Sequence, residues 1–151
     1  MNFDETPSIA AIRRILLAAL TLGLLGNGAE LLLLDHVEQL AQWVPVALIF
    51  AALAAIGWYL IGGGSASLRL LQVLMIVSII AGPAGFYFHY RGSAEFKLES
   101  NPSLAGWNLF WAALRSKAPP PLAPGIMTQL GLIGLAFAYR HPVFKSFEKE
   151  N

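Results

Sequence analysis

Glu30 has the strongest claim to chemistry in this sequence, because it stands inside a long apolar run. The run covers residues 12–34 and has the length of a membrane-crossing helix, which needs about 20 apolar residues. An ionisable side chain inside such a helix costs about 2.5–3.5 kcal/mol on insertion scales, so it is expected to face protein or water and to serve a function. Glu30 is therefore the first candidate for a functional site.

His89 is the predicted partner of Glu30. Small residues mark the faces through which membrane helices pack. Two stripes of mostly small residues each end in an ionisable group: Ala19, Gly23, Asn27 and Glu30 in the first apolar run, and Ser78, Gly82, Gly85 and His89 in the third. If both stripes face the bundle interior, Glu30 and His89 approach one pocket. A carboxylate that accepts the imidazole N–H fixes its tautomer and raises its basicity, so the pair would hold a divalent metal or act as a general base.

Other polar residues predicted on the same side would complete this pocket. The further ligand or metal candidates are His36, Glu95 and Glu99, and the supporting polar groups are Asn27, Thr128 and Gln129. A divalent metal is the cofactor that such oxygen and nitrogen donors suit. Haem is disfavoured, because it would need His36 and His89 as its two axial iron ligands, and His36 lies at or beyond the end of its helix.

Each of these residues also has a structural interpretation. Glu30 would pair with Arg91 or hydrogen-bond to Gln129, as intramembrane carboxylates often do. His89 would anchor the membrane boundary, and the two later glutamates would lie on a solvated face. The sequence alone leaves both interpretations open.

The composition indicates an integral membrane protein. The chain has 151 residues, of which 56% are hydrophobic and 13% charged, against about 25% charged in a soluble domain. The net charge of +1 predicts no attraction to nucleic acid. Since the chain contains no cysteine, disulfides, thiolate nucleophiles and cysteine-ligated metals are excluded. There is also no Gly-x-Ser-x-Gly sequence and no phosphate-binding loop.

The apolar runs predict an all-α membrane protein, a bundle of four transmembrane helices in one domain over residues 1–151. The spans are expected at about residues 12–34, 44–61, 68–90 and 123–139. Residues 91–121 form the one long connection, between helices 3 and 4. Within it, the alternation over residues 95–99 favours a short extended segment, with a helical turn as the alternative. Trp107, Phe110 and Trp111 then recur at helical spacing, which predicts a short amphipathic helix in the membrane interface, for anchoring or docking.

The distribution of basic residues predicts the orientation of the bundle. Six basic residues flank the spans on the side of the termini, and four lie on the other side: Arg13, Arg14, Arg69, Arg140, Lys145 and Lys149 against Arg91, Lys97, Arg115 and Lys117. The positive-inside rule then places both termini in the cytoplasm, and we expect a bacterial inner membrane. A cleaved signal peptide is disfavoured, because the apolar run continues past Gly28 and Ala29. The plan resembles small bacterial four-span proteins of the DoxX type in architecture alone, with Arg13 and Arg14 before the first helix, and implies no activity.

Two functions remain open from the sequence. The first is a binding or accessory subunit that packs on a larger membrane protein or on copies of itself within the lipid bilayer. The second is a metal or acid–base site built on Glu30 and His89 at the outer side, acting on a small or lipid-soluble ligand. The sequence favours the first, because it contains small-residue stripes and no established catalytic motif.

Overall fold

The computed structural model describes residues 6–35, 40–117 and 120–144, and within these ranges the chain forms helices and no strand. The helices are α1 (Pro7–Leu33), α2 (Leu40–Leu60), α3 (Gly64–Ser100), α4 (Gly106–Leu114) and α5 (Gly125–Ala138). Three of them, α1, α2 and α3, are long and apolar enough to cross a membrane, while α5 is apolar but shorter. The prediction of an all-helical fold is therefore confirmed for the described residues, and three of the helices are compatible with membrane spans.

Local chemistry sets the helix boundaries. α1 begins earlier than predicted because the Thr6 hydroxyl caps it, accepting the Ile9 N–H at 3.4 Å, and because Pro7 needs no N–H partner at the first position. α2 begins at Leu40, so Pro45 lies inside this helix. The short turn into α3 places Gly62 and Gly64 at φ of 102° and 60°. Glycine adopts this left-handed backbone without steric cost.

The third helix is much longer than expected. α3 has 37 residues and is about 56 Å long, which exceeds a hydrocarbon core of about 30 Å. The predicted end at residue 90 and the extended segment over residues 95–99 are therefore wrong, and the helical alternative holds. Residues 94–99 are mostly good helix formers. An ion pair one helical turn apart, between Arg91 Nε and Glu95 Oε1 at 2.9 Å, supports the same conformation.

The helices form an antiparallel ring in the order α1, α2, α3, α5. α1 packs on α2 and α5, α3 packs on α2 and α5, and α4 packs on α3. α3 and α5 are antiparallel, since residue numbers rise along α3 while those of the contacted residues fall along α5. The close contacts are Met75 with Gly134, Ile79 with Gly131, and Gly85 with Pro124. A Cβ at Gly131 would lie 2.6 Å from the Met75 carbonyl oxygen, so only glycine allows this approach.

The core lies between the four ring helices, and the outward faces are strongly apolar. The largest fully buried side chains of the ring helices are Leu20, Leu24, Ile49, Leu68, Leu71, Met75 and Phe137. Large apolar side chains are exposed on α1, α2 and α3, as expected where lipid replaces water. We call the end that carries Arg13, Arg69 and Arg140 the arginine end. The end that carries Tyr90, Trp107 and Trp111 is the aromatic end.

Candidate functional site

Glu30 lies on the outside of the bundle. Its side chain is exposed, and no residue in the described ranges forms a hydrogen bond or ion pair with its carboxylate. The expected partner Arg91 pairs with Glu95 instead. Glu30 is one helical turn from the end of α1 at the aromatic end.

The predicted inward stripe of α1 is correct at Gly23 and Asn27, which approach α5, and wrong at its two ends. Ala19 and Glu30 are exposed, while the buried residues of this helix are Leu20, Leu24 and Gly28. Leucine side chains fill the space beside α5, and Gly28 admits Ile49 of α2, whose Cγ2 would lie 3.1 Å from an added Cβ. The buried face of α1 is therefore apolar, and Glu30 lies on a different face of this helix.

The matching stripe on α3 does face the bundle. Ser78 and Gly82 are buried, and a Cβ at Gly85 would lie 2.7 Å from Pro124 Cβ. At the end of the stripe, Nδ1 of half-buried His89 lies 3.2 Å from the carbonyl oxygen of Pro120. Because a carbonyl only accepts, this nitrogen carries the proton. The contact fastens the segment before α5 to α3.

Asn27 and Thr128 make separate structural contacts. The Asn27 amide donates to the thioether sulfur of Met127 at 3.5 Å, between α1 and α5. The Thr128 hydroxyl donates to the backbone carbonyl of Ile79 at 3.2 Å. This carbonyl loses its ordinary helical donor because the residue four positions later is Pro83, which has no N–H. Thr128 therefore supplies a hydrogen bond that the helix cannot make itself.

Gln129, Glu95 and Glu99 point away from the bundle core. Gln129 is exposed on α5, next to a glycine face formed by Gly131 and Gly134, which is buried. Glu95 and Glu99 are exposed on the last turns of α3. The ion pair between Arg91 and Glu95 has side-chain exposures of 63% and 60%, so it contributes little to stability.

The aromatic residues of the third connection form one cluster. Trp107 stacks on Phe110 with ring centroids 5.1 Å apart, and Trp111 meets Trp107 edge-on at 5.6 Å. Phe110 also contacts Tyr90 of α3 at 5.7 Å. The Arg115 guanidinium lies 5.2 Å from the Trp111 ring centroid, within cation–π range. Trp107 stays 67% exposed, so the cluster presents a large amphipathic surface.

No metal centre is assembled within residues 6–35, 40–117 and 120–144, where no three His, Asp or Glu side chains lie close enough to hold an ion. His36 lies outside the described residues. The metal or acid–base site at Glu30 and His89 therefore remains a prediction from the sequence, and no observed contact favours it.

The arginine end contains a polar cluster that the sequence did not predict. The Arg13 guanidinium donates to three carbonyls at the end of α5, those of Phe137 at 2.7 Å and of Tyr139 and Arg140 at 3.0 Å. The last carbonyls of a helix have no partner within it, so a cation placed there satisfies them. The paired arginines before the first helix were a signal of membrane orientation, and only the fold shows that one of them caps α5.

His141 belongs to the same end and is buried. Its Nδ1 accepts the Val143 N–H at 3.3 Å, so the neutral ring carries its proton on Nε2. The Nε2–H therefore donates a hydrogen bond to the Tyr59 hydroxyl oxygen, 3.2 Å away. The Tyr59 and His141 rings also pack edge-on at 5.6 Å. This contact ties the end of α2 to the segment after α5.

Comparisons with protein-family models, with curated proteins and with solved structures return no match. Function therefore has to be inferred from the geometry of the chain itself.

Proposed function

We propose that this chain is a small four-span membrane protein that works as a subunit of a membrane assembly, formed with copies of itself or on a larger membrane protein. Within the described residues, the predicted polar side chains make separate structural contacts or point outward instead of lining one pocket. The outward surface is therefore where a function of this molecule is best sought.

The fourth span combines α5 with the turns before it. α5 has 14 residues and is about 21 Å long, short of a hydrocarbon core of about 30 Å. In the preceding turns, the N–H groups of Ala123, Gly125 and Ile126 donate to carbonyls three residues earlier at 3.0–3.3 Å. Residues in such turns rise about 2.0 Å each, so the chain from Pro120 to Ala138 covers about 30 Å. The internal bonding of these groups suits a lipid environment.

The arginine end is proposed to face the cytoplasm of a bacterial cell, with both termini on that side. The excess of basic residues there supports this orientation. α4, with Trp107, Phe110 and Trp111, would then lie in the opposite interface, where tryptophan rings are enriched. The exposure of Trp107 and the cation at Arg115 suit such a position.

One observation carries the proposed role as a subunit. The outward faces of apolar helices bear two polar side chains, Glu30 on α1 and Gln129 on α5, that bond to no residue in the described ranges. Lipid tails offer the Gln129 amide no hydrogen bond, whereas Glu30, one turn from the end of α1, lies nearer to water. Membrane helices satisfy polar side chains such as Gln129 on neighbouring helices. A second protein chain against this surface would supply the missing partners.

The test is the mass of the assembly taken directly from membranes. The tagged chain is extracted in polymer nanodiscs without detergent, and the protein content of each particle is measured by native mass spectrometry. We expect particles that contain more protein than one chain of 16.3 kDa. A single chain in every particle, with no second protein, would overturn the proposed role.

A further inference from the structure

Gln129 stands on a continuous outward stripe of α5. Gly125, Gln129, Leu132 and Ala136 follow at spacings of four, three and four residues, and all four are exposed. Such spacings place residues on one helix face. Two of the four residues are small, and nothing lies within 4 Å of a Cβ placed at Gly125. The stripe is therefore open to close approach by another helix.

Gln129 lies near the middle of the proposed bilayer. It precedes Arg140 by eleven residues, a rise of about 17 Å. The contact of Arg13 with the Arg140 carbonyl shows that these two residues share one level. The register of α3 on α5 places Arg69 at that level as well. If the arginines mark one boundary of a core about 30 Å thick, the Gln129 amide lies close to its midplane.

Depth separates Gln129 from Glu30. Glu30 follows Arg14 by sixteen residues, or about 24 Å, which brings it close to the opposite boundary of the core. A carboxylate there reaches the headgroup region and water. The amide of Gln129 has no such access, so its two N–H groups and its carbonyl need a protein partner more strongly than Glu30 does.

We propose that this stripe of α5 is the interface between two copies of the chain, with the Gln129 amides hydrogen-bonded to each other across a two-fold axis normal to the bilayer. This pairing rests on the proposed function, because it identifies a second copy of the chain as the protein that binds the outward surface. An amide carries both donors and an acceptor and is complementary to itself. A two-fold axis along the membrane normal brings identical residues together at one depth. Gly125 and Ala136 let the two backbones approach, as small residues do in membrane helix pairs.

Disulfide mapping locates the interface, because the chain has no cysteine of its own. Single cysteines are introduced at Leu132, on the stripe, and at Leu22 on α1, which the register of α1 on α5 places at a similar depth. The two leucines are 57% and 69% exposed, so both thiols are accessible. We expect oxidation in native membranes to cross-link Leu132→Cys to a second copy and to leave Leu22→Cys uncross-linked.

The role of the amide is tested by dilution in lipid vesicles. Wild type, Gln129→Leu and Gln129→Asn are labelled through Ala66→Cys, and energy transfer between copies is followed as the lipid-to-protein ratio rises. We expect Gln129→Leu to weaken self-association about tenfold, and Gln129→Asn to restore part of it because it keeps an amide. Helix content by circular dichroism confirms that each variant is folded.

Four outcomes overturn the pairing of two copies. In the first, the Gln129→Leu variant self-associates as strongly as the wild type. In the second and third, Leu22→Cys cross-links instead of Leu132→Cys, or Leu132→Cys cross-links to a different protein. In the fourth, each nanodisc holds one copy of this chain beside another protein. In each of these cases the role as a subunit survives. Nanodiscs that hold a single chain and no second protein would overturn both the pairing of two copies and the role as a subunit.

Discussion

The bond from Thr128 to Ile79 leads to a prediction that depends on a third residue, Pro83. Proline at position 83 removes the N–H that would normally reach the Ile79 carbonyl, and the Thr128 hydroxyl donates to that carbonyl at 3.2 Å. Gly82 makes room for this contact, because a Cβ there would collide with the Thr128 hydroxyl oxygen. We therefore expect the effect of Thr128→Val on stability to depend on whether residue 83 is proline.

The size of the effect follows from what the carbonyl loses. A buried carbonyl left without a donor costs about 1–3 kcal/mol, and hydrogen bonds between membrane helices contribute about 0.6 kcal/mol on average, with a maximum near 1.7. Since Thr128 is half-buried, we expect Thr128→Val to lower the free energy of unfolding by about 1–1.5 kcal/mol. In the Pro83→Ala background, the new N–H serves the carbonyl, and the same change should cost less than about 0.5 kcal/mol.

The measurement is a double-mutant cycle in mixed micelles, in which unfolding by sodium dodecyl sulfate is followed by circular dichroism. Thr21→Val is the matched control. The Thr21 hydroxyl donates at 2.8 Å to the Leu17 carbonyl, and this carbonyl already accepts the helical hydrogen bond from the backbone N–H of Thr21. The control should change the free energy of unfolding by less than about 0.5 kcal/mol. Equal costs of Thr128→Val in the proline and alanine backgrounds would refute the reasoning.

Two further predictions concern the helix contacts of α5. Arg13→Gln should lower the free energy of unfolding by about 1–2 kcal/mol, because it removes charged hydrogen bonds to three carbonyls, while Arg14→Gln, at an exposed position, should change it little. An equal loss in both variants would assign the effect to membrane anchoring instead of capping. Gly131→Ala should destabilise the bundle by about 1–3 kcal/mol, since the new Cβ meets α3 backbone at 2.6 Å, whereas Gly57→Ala, which meets nothing within 4 Å, should be neutral or stabilising. Denaturant titration of each pair checks both predictions, and a stable Gly131→Ala would contradict the packing.

Small residues predicted the facing of α3 correctly, whereas the stripe predicted on α1 is correct at only two of its four positions. The stripe through Gly82 and the glycine face through Gly131 lie between α3 and α5, because only there do backbones approach closely. On α1, Gly23 and Asn27 approach α5, but Ala19 and Glu30 of the same predicted stripe are exposed. Hydrophobicity could not correct this error, since lipid-facing and core-facing positions are equally apolar in a membrane helix.

Other features depended on contacts that no local pattern contains. The extended segment predicted at residues 95–99 rested on a strict alternation of polar and apolar residues, yet four of these five residues are good helix formers, and the segment continues α3. Arg13 meets the end of α5 across more than a hundred residues of sequence. His141 finds Tyr59 on α2 in the same way. These side chains sit at helix ends, where tertiary contacts and not periodicity decide the partner.

Five polar side chains of the described helices differ in the direction in which they point. Arg13, Asn27 and Thr128 face a neighbouring helix and bond to it, so their chemistry is used within the fold. Glu30 and Gln129 face outward from apolar helices. On a soluble protein outward polar groups need no explanation, because water satisfies them. In a bilayer the expectation is reversed for a group as deep as Gln129, so the outward surface around this residue, and not the bundle interior, is where a binding partner should be sought.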